Sequence, residues 1–111
     1  MAELTEDQKE AVAQFQVYQQ QLQSVMIQRE NMKMQAMEID KAMEELTKTK
    51  QTTAYKITGQ IMISKPVEEL KKDLEETKEA ADIRIKSLEK TEERINTRLK
   101  ELQEKLREVI K

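Results

Sequence analysis

The chain has 111 residues and a net charge of −2, and it contains 1 Gly, 1 Pro, 2 Tyr, 1 Phe and no Trp. Turns between elements are rich in Gly and Pro, and compact cores usually contain several aromatic side chains. This composition therefore excludes a globular domain with many chain reversals. Charged residues make up 38% of the sequence, with acids and bases interspersed, which predicts long exposed helices and argues against a basic nucleic-acid-binding surface.

A first helix is predicted from about residue 5 to residue 52. Thr5 and Gln8 have the spacing of a capping box, and acids follow in the first turn, where the helix dipole favours them. Apolar residues then recur at alternating spacings of four and three, the heptad pattern of a coiled coil. One heptad series consists of Ala11, Tyr18, Val25, Met32, Ile39 and Leu46. The other, interrupted at Arg29, consists of Phe15, Leu22, Ala36 and Met43.

After Gln51 the apolar period changes to two, which predicts a β-hairpin over about residues 53–64. We expect strands at 53–58 and 60–64, with Gly59 in the turn, because a positive φ costs glycine least. The alternation predicts one exposed apolar face made of Tyr55, Ile57, Ile61 and Ile63.

A second helix is predicted from about residue 66 to residue 110. Pro66 suits its first turn, and acids follow at the positive end of the helix dipole. The heptad pattern resumes here. Its unbroken series consists of Val67, Leu74, Ala81, Leu88, Ile95, Leu102 and Val109. Its companion series, interrupted at Glu92, consists of Ile85, Leu99 and Leu106.

The two heptad patterns are related by symmetry about residue 60. Leu46 precedes that residue by as many positions as Leu74 follows it, and the same holds for Tyr18 and Leu102. Helices joined by a tight bend and packed antiparallel should show this relation. The sequence therefore predicts an α-dominated fold, a long antiparallel two-helix coiled-coil hairpin with a small β-hairpin at the bend, in one domain over residues 1–111.

The companion series is symmetric about the midpoint between residues 60 and 61, as Leu22 and Leu99 show, and this places Arg29 opposite Glu92. These are the two residues that interrupt the heptad series. We predict that they form an ion pair that fixes the register of the helices at some cost in stability. The alternative is that both side chains extend into solvent without meeting.

A lone two-stranded hairpin is marginally stable in water and has unpaired edges. The sequence therefore favours an oligomer in which hairpins from several chains join, over a hairpin that folds back on its own helices.

Apolar residues near both chain termini form a candidate surface for binding other polypeptides, which we call clients. It lies at the distal tips of the coiled coil, the ends that are far from the β-hairpin. The last layers of a coiled coil pack on one side only, so they fray and expose apolar side chains. Such surfaces can bind many unrelated partners, although scattered surface residues would give the same pattern. These tip residues are Leu4, Val12, Phe15, Leu106, Val109 and Ile110.

The chain lacks the residues on which most catalytic and metal sites depend. It contains no Cys and no His, and its single Gly cannot build a phosphate-binding loop. Adjacent glutamates such as Glu44 and Glu45 point in different directions on a helix and indicate a solvated face. We therefore expect no enzyme activity, cofactor or metal. No signal peptide or membrane-spanning segment is evident, so we expect a cytoplasmic protein with no membrane partner.

The layout resembles the beta subunits of prefoldin, a chaperone of archaea and eukaryotes. The most specific stretch is Tyr55-Lys-Ile-Thr-Gly-Gln-Ile-Met-Ile, which is similar to the family's Val-Tyr-Lys-x-x-Gly-x-Leu-Leu-Val. The segments beginning at Phe15, Ala42 and Leu88 also fit the family pattern, whereas the connector Ile63-Ser-Lys-Pro-Val is shorter than usual.

The resemblance implies a hexamer with two alpha-type and four beta subunits, whose β-hairpins form a double β-barrel. It implies an ATP-independent holdase that binds unfolded proteins at the tip residues and delivers them to a group II chaperonin. The near-minimal pattern is similar to archaeal members. Carried onto this sequence, the oligomerisation residues are Tyr55, Ile57, Ile61, Met62 and Ile63.

Two other functions stay open from the sequence. A structural coiled-coil scaffold or filament element would assemble end to end or laterally without binding clients. A helical-hairpin arm that binds RNA would need basic surface, which the acidic balance disfavours.

Overall fold

Two long helices make up most of the protein, with a β-hairpin between them. The structure is a computed structural model that describes the backbone of residues 3–110 and the side chains of residues 3–108. Helix α1 spans Glu6–Lys48 and helix α2 spans Val67–Ile110. The predicted fold class is confirmed. Among the described residues, neither helix combines the length and apolar character needed to cross a bilayer.

The start of α1 is capped as the sequence predicts. The Thr5 backbone N–H donates to Gln8 Oε1 at 2.8 Å, and the Gln8 backbone N–H donates to Thr5 Oγ1 at 3.1 Å. Each side chain satisfies a backbone donor that the first helical turn would otherwise leave free.

Helix α1 ends at Lys48, before the predicted position near residue 52. The cause is local. The Gln51 backbone N–H donates to Thr49 Oγ1 at 3.2 Å, a side-chain bond that replaces the helical one. The β-branched threonines here also have low helix propensity, so the chain leaves the helix earlier than the absence of Gly and Pro suggested.

The hairpin consists of strand β1, Thr53–Thr58, and strand β2, Ile61–Pro66, paired antiparallel. Strand β2 begins after the predicted residue 60 and extends beyond the predicted residue 64. Its last rung is prolonged by the Val67 N–H, which donates to the carbonyl of Thr52 at 2.9 Å. The ladder therefore leads directly into α2.

The turn of the hairpin has two residues, Gly59 and Gln60. Gly59 has a φ of 60°, as predicted, and no other described residue has a positive φ. A positive φ at the first turn position alone defines a type II′ turn, whose twist matches that of the flanking strands.

The turn length overturns one prediction from the sequence. Tyr55, Ile57, Ile61 and Ile63 do not share a face. Because the turn has two residues, Ile57 lies opposite Met62, and Tyr55 and Ile57 therefore share a face with Met62. Ile61 and Ile63 lie on the other face. The prediction assumed that the alternation of faces continues unchanged through the turn, and it therefore assigned the apolar residues of β2 to the wrong face of the sheet.

Residue packing divides the chain into two compact units, which are described separately. The first unit comprises residues up to Glu30 together with those from Lys86 onward, and the second unit comprises Asn31–Ile85. Both helices contribute to each unit. That residues 1–111 behave as one domain stays a prediction.

The core of the first unit is the predicted heptad seam. Leu102 is the most enclosed side chain, with an exposed fraction of 2%. The helices also contact each other through polar groups, since Arg98 Nη2 donates to Gln14 Oε1 at 3.3 Å. The buried apolar residues of this unit are Ala11, Leu88, Ile95 and Leu102.

The core of the second unit is smaller and includes a residue that the heptad pattern misses. Leu70 lies outside both series, yet it is buried. Lys78 on α2 donates to Asp40 on α1, and this hydrogen bond raises the pKa of Lys78 above its usual value. The buried apolar residues of this unit are Ala36, Val67, Leu70, Ala81 and Ile85.

Candidate functional site

The β-hairpin carries the densest group of exposed apolar side chains among the described residues. We call this group the hairpin surface. Its exposed fractions run from 44% at Ile63 to 71% at Ile57. The hairpin surface consists of Tyr55, Ile57, Ile61, Met62 and Ile63. These are the residues that the sequence predicts for oligomerisation, and that role stays a prediction.

The strand register distributes this apolar surface over both faces of the sheet. Tyr55, Ile57 and Met62 form the first face, and Ile61 and Ile63 form the second. The sheet has only two strands, so each strand also has an unpaired edge. A hairpin that is apolar on two faces and open at two edges lacks the burial that stabilises a sheet in water. The hairpin surface therefore stays exposed within the described part of the chain.

An apolar recess lies in the second unit where the hairpin meets the helices. Its cavity volume is about 400 Å³, and it opens to solvent. Tyr55 of the hairpin surface lines it, together with the apolar residues Ala42, Leu46, Ala54, Leu70 and Leu74. The sequence analysis missed this recess. The available signal was Leu70, an apolar residue that lies three residues after Val67 and four before Leu74 but belongs to neither series.

Charged groups surround the recess. Lys65 Nζ lies 3.8 Å from carboxylate oxygens of both Glu69 and Asp73, and Asp73 lines the recess. Glu45 and Lys56 also line it, but within the described part of the chain neither forms an ion pair. The recess therefore combines an apolar floor with one unpaired acid and one unpaired base.

The tip residues are less exposed than the hairpin surface. Leu4 has an exposed fraction of 40%, whereas Val12, Phe15 and Leu106 are half-buried. Val109 and Ile110 were also predicted here, but their side chains lie outside the described residues. Client binding at these positions stays a prediction.

The structure brings Arg29 and Glu92 into contact within the first unit. Arg29 Nη1 donates to Glu92 Oε2 at 2.6 Å, and the two side chains are only 19% and 15% exposed. Arg29 Nη2 also lies 3.3 Å from Glu30 Oε1. The Arg29 Nε atom is buried without a hydrogen-bond partner among the described atoms. A role of this ion pair in fixing the register stays a prediction.

Acidic side chains elsewhere are dispersed along the helices. Among the described residues, no three potential ligands come together in a way that could hold a metal ion. In the first unit, a hydrogen bond to Glu101 is the main cause that raises the pKa of Arg98, and Tyr18 adds to it.

Comparisons with known proteins agree with the fold and the hairpin motif. A family model described as prefoldin subunit matches residues 9–111. A prefoldin subunit beta from Archaeoglobus fulgidus is 39% identical over 111 residues, which cover 99% of this chain and 96% of that protein. The crystal structure of the prefoldin beta subunit from Thermococcus strain KS-1 matches with a TM-score of 0.87 and 26% identity, over 98% of this chain and 96% of that chain. The resemblance drawn from the sequence is confirmed, and the chain belongs to the prefoldin family of chaperone subunits.

Proposed function

We propose that this chain is a beta-type subunit of an ATP-independent holdase that binds non-native polypeptides in the cytoplasm. The observation that carries the proposal is the match to a prefoldin subunit over residues 9–111, which includes both helices almost completely and the whole hairpin. The proposal includes no enzyme activity and no cofactor.

Assembly with other prefoldin subunits takes place through the hairpin surface. The support is physical: five apolar side chains are exposed on two faces of a sheet that has only two strands. Burial of one such side chain contributes about 1.5–3 kcal/mol, so several together can drive stable association. The proposed partners are an alpha-type subunit and further copies of this chain, in a hexamer of two alpha and four beta subunits.

Client binding takes place at the tip residues. Leu4 is exposed, and Val12, Phe15 and Leu106 are half-buried close to the helix ends. Helix ends open at low free-energy cost, because their last turns lack packing on one side. Opening would expose these side chains to an unfolded polypeptide, which would then be delivered to a group II chaperonin.

The proposal is tested with the complex of this chain and an alpha-type prefoldin subunit from its own genome. We expect the complex to delay aggregation of a chemically denatured enzyme without ATP, as measured by light scattering. Subsequent addition of a group II chaperonin and ATP should recover enzyme activity. An assembled complex that leaves aggregation unchanged would instead favour the structural scaffold without client binding.

The position of the client site is tested by exchanging apolar tip residues for serine. Leu4→Ser with Val12→Ser should reduce the protection severalfold while the mass of the complex stays unchanged. The matched control is Val17→Ser with Ile27→Ser, because these residues are exposed and apolar in the same unit but lie outside the tip set. If the control pair loses protection and the tip pair keeps it, the tip assignment is wrong.

A further inference from the structure

The apolar recess in the second unit borders strand β1 itself rather than one face of the hairpin. Its lining includes three consecutive residues of β1, Ala54, Tyr55 and Lys56. Consecutive strand residues point to opposite faces of a sheet, so a cavity that meets three in a row lies along the unpaired edge of the strand. A side chain from either face can therefore reach the recess around this edge.

Tyr55 lies at the rim of the recess. It lines the cavity and is nevertheless 69% exposed, so most of its side chain is in solvent. Exposed side chains exchange between staggered χ1 rotamers on a fast timescale. A rotamer change at Tyr55 would carry its ring from solvent into the recess without any movement of the helices.

The recess has the size and the lining that an aromatic ring requires. Its volume is about 400 Å³, and an apolar cavity of about 150 Å³ is already large enough to bind benzene. Leu46 of α1 and both Leu70 and Leu74 of α2 supply apolar contacts. A ring that enters gains apolar burial and dispersion contacts that the open recess lacks.

A tyrosine that enters an apolar cavity also needs a hydrogen-bond partner for its hydroxyl group. Two acids line the recess, Glu45 and Asp73. Asp73 lies 3.8 Å from Lys65 Nζ, whereas Glu45 forms no ion pair within the described part of the chain. The Glu45 carboxylate is therefore free to accept a hydrogen bond from the Tyr55 hydroxyl group.

We propose that Tyr55 docks in the recess of its own chain, with its hydroxyl group donating to Glu45, and that assembly through the hairpin releases it. The exposed position in the structure is the released one, in which Tyr55 shares the first face with Ile57 and Met62. Docking withdraws the ring from that face, so the affinity for a partner falls with the fraction of molecules that are released. Release on assembly rests on the proposed function, whereas docking itself needs no partner.

Fluorescence reports docking directly, because the chain has 2 Tyr and no Trp. Tyr18→Phe leaves Tyr55 as the single fluorophore. In this background Ala42→Phe fills the recess and should increase acrylamide quenching of Tyr55 by about twofold or more, since a ring that docks for half of the time or longer is shielded for that time. Equal quenching with and without Ala42→Phe overturns the proposal.

The matched control is Ala80→Phe, because Ala80 is an exposed helical alanine of the same unit outside the recess. It should leave the quenching unchanged. Circular dichroism melts show whether each variant folds. An increase of the same size in both alanine variants would assign the effect to the added ring instead of the recess and would overturn the proposal.

A second pair of variants tests the hydrogen bond and leaves the volume of the recess open. Glu45→Ala removes the acceptor and should increase the quenching of Tyr55, whereas Glu45→Gln keeps an acceptor oxygen and should increase it less. Glu38→Ala is the control, since Glu38 is an exposed acid of α1 in the same unit outside the recess. Quenching that is equal in Glu45→Ala and Glu38→Ala overturns the assignment of Glu45.

Release on assembly is tested with Tyr18 restored. Ala42→Phe should bind an alpha-type subunit more tightly than the wild-type chain does, by the same factor by which the quenching increased, because the affinity follows the released fraction. Sedimentation velocity gives both affinities. Unchanged affinity together with increased quenching overturns the release.

The quenching experiments contain neither a partner nor a client. They can therefore fail while the holdase proposal stands, and a complex that protects no client leaves their outcome unaffected.

Discussion

The helical seam of the first unit buries its apolar side chains, whereas the hairpin of the second unit leaves similar apolar side chains exposed. Both place apolar side chains at regular spacing, but Leu102 in the seam is 2% exposed and Ile57 in the hairpin is 71% exposed. The seam is buried within one chain because the apolar stripe of each helix packs against that of the other helix. Strand β1 pairs only with strand β2 among the described residues, and the side chains of the hairpin surface stay exposed. The residues that are buried in the seam and the residues that we propose for assembly are therefore separate sets.

The difference follows from the geometry of the two elements. A two-helix coiled coil buries one stripe of each helix and leaves polar faces to water, so it is complete with two members. A β-sheet buries its faces only against another layer, and two strands supply none. The comparison predicts that mutations in the seam change unfolding and that mutations in the hairpin change association.

The largest effect is expected from Ile57→Ser with Met62→Ser on the first face of the hairpin. Their side chains should contribute about 1.5–3 kcal/mol each to assembly, so association with an alpha-type subunit should weaken by roughly 100-fold or more. The melting temperature of the chain alone should change little, because both residues are already exposed. Light scattering after size exclusion measures the association.

The matched control for this variant is Met34→Ser with Met37→Ser, two exposed methionines on α1 in the same unit. This pair should assemble normally. Equal loss of assembly in both double variants would mean that the hairpin is not the interface.

The next effect is expected from Leu102→Ala, which removes the most enclosed side chain of the seam. The free energy of unfolding should fall by about 2–5 kcal/mol, the usual range for a buried leucine. Chemical denaturation followed by circular dichroism gives this value. Leu4→Ala, at an exposed position, should change it by less than about 0.5 kcal/mol. Similar values for the two variants would show that the seam is not packed as described.

A smaller effect is expected at the Arg29–Glu92 ion pair. Arg29→Met or Glu92→Met alone leaves a half-buried charge without its partner and should cost about 1–3 kcal/mol, less than for a fully buried pair. The double variant should recover most of this loss, because two apolar residues continue the heptad seam. The exposed pair Glu6–Lys9 provides the control, with an expected effect below about 0.5 kcal/mol. Additive losses in the double variant would exclude coupling between Arg29 and Glu92.

The smallest effect is expected from Gly59→Ala in the hairpin turn. The new methyl group would meet no atom within 4 Å, so only the φ of 60° opposes it, at about 1–2 kcal/mol. Gly59→Asn should cost less, since asparagine tolerates this conformation better. Amide hydrogen exchange of strands β1 and β2 would report the difference. Equal exchange in both variants would argue against a type II′ turn.

The sequence was sufficient for the parts of the fold that depend on helical periodicity. Residue spacing predicts the capping box at Thr5 and the heptad seam. The symmetry of the companion series about the midpoint between residues 60 and 61 predicts that Arg29 faces Glu92. The faces of the hairpin did not follow, because one residue more or less in the turn exchanges the two faces of β2. Only the strand register, with Ile57 opposite Met62, decides which residues of β2 share a face with Ile57.

The recess was also beyond prediction, for a different reason. It is formed by residues from both helices and from β1, and their proximity depends on where α1 ends and how β2 enters α2. The early end of α1 at Lys48 comes from a hydrogen bond to the Thr49 side chain. Neither detail is visible in the apolar period, so Leu70 could be recognised as irregular but not as part of a recess.

We expect the seam to be complete in the isolated chain and the hairpin to be completed only by assembly. Hydrogen exchange of the wild-type chain, measured alone at monomeric concentration and in complex with an alpha-type subunit, tests it directly. We expect the amides of strands β1 and β2 to exchange rapidly in the isolated chain and slowly in the complex, with the helical seam protected in both. Equal protection of the strands in both samples would contradict the claim.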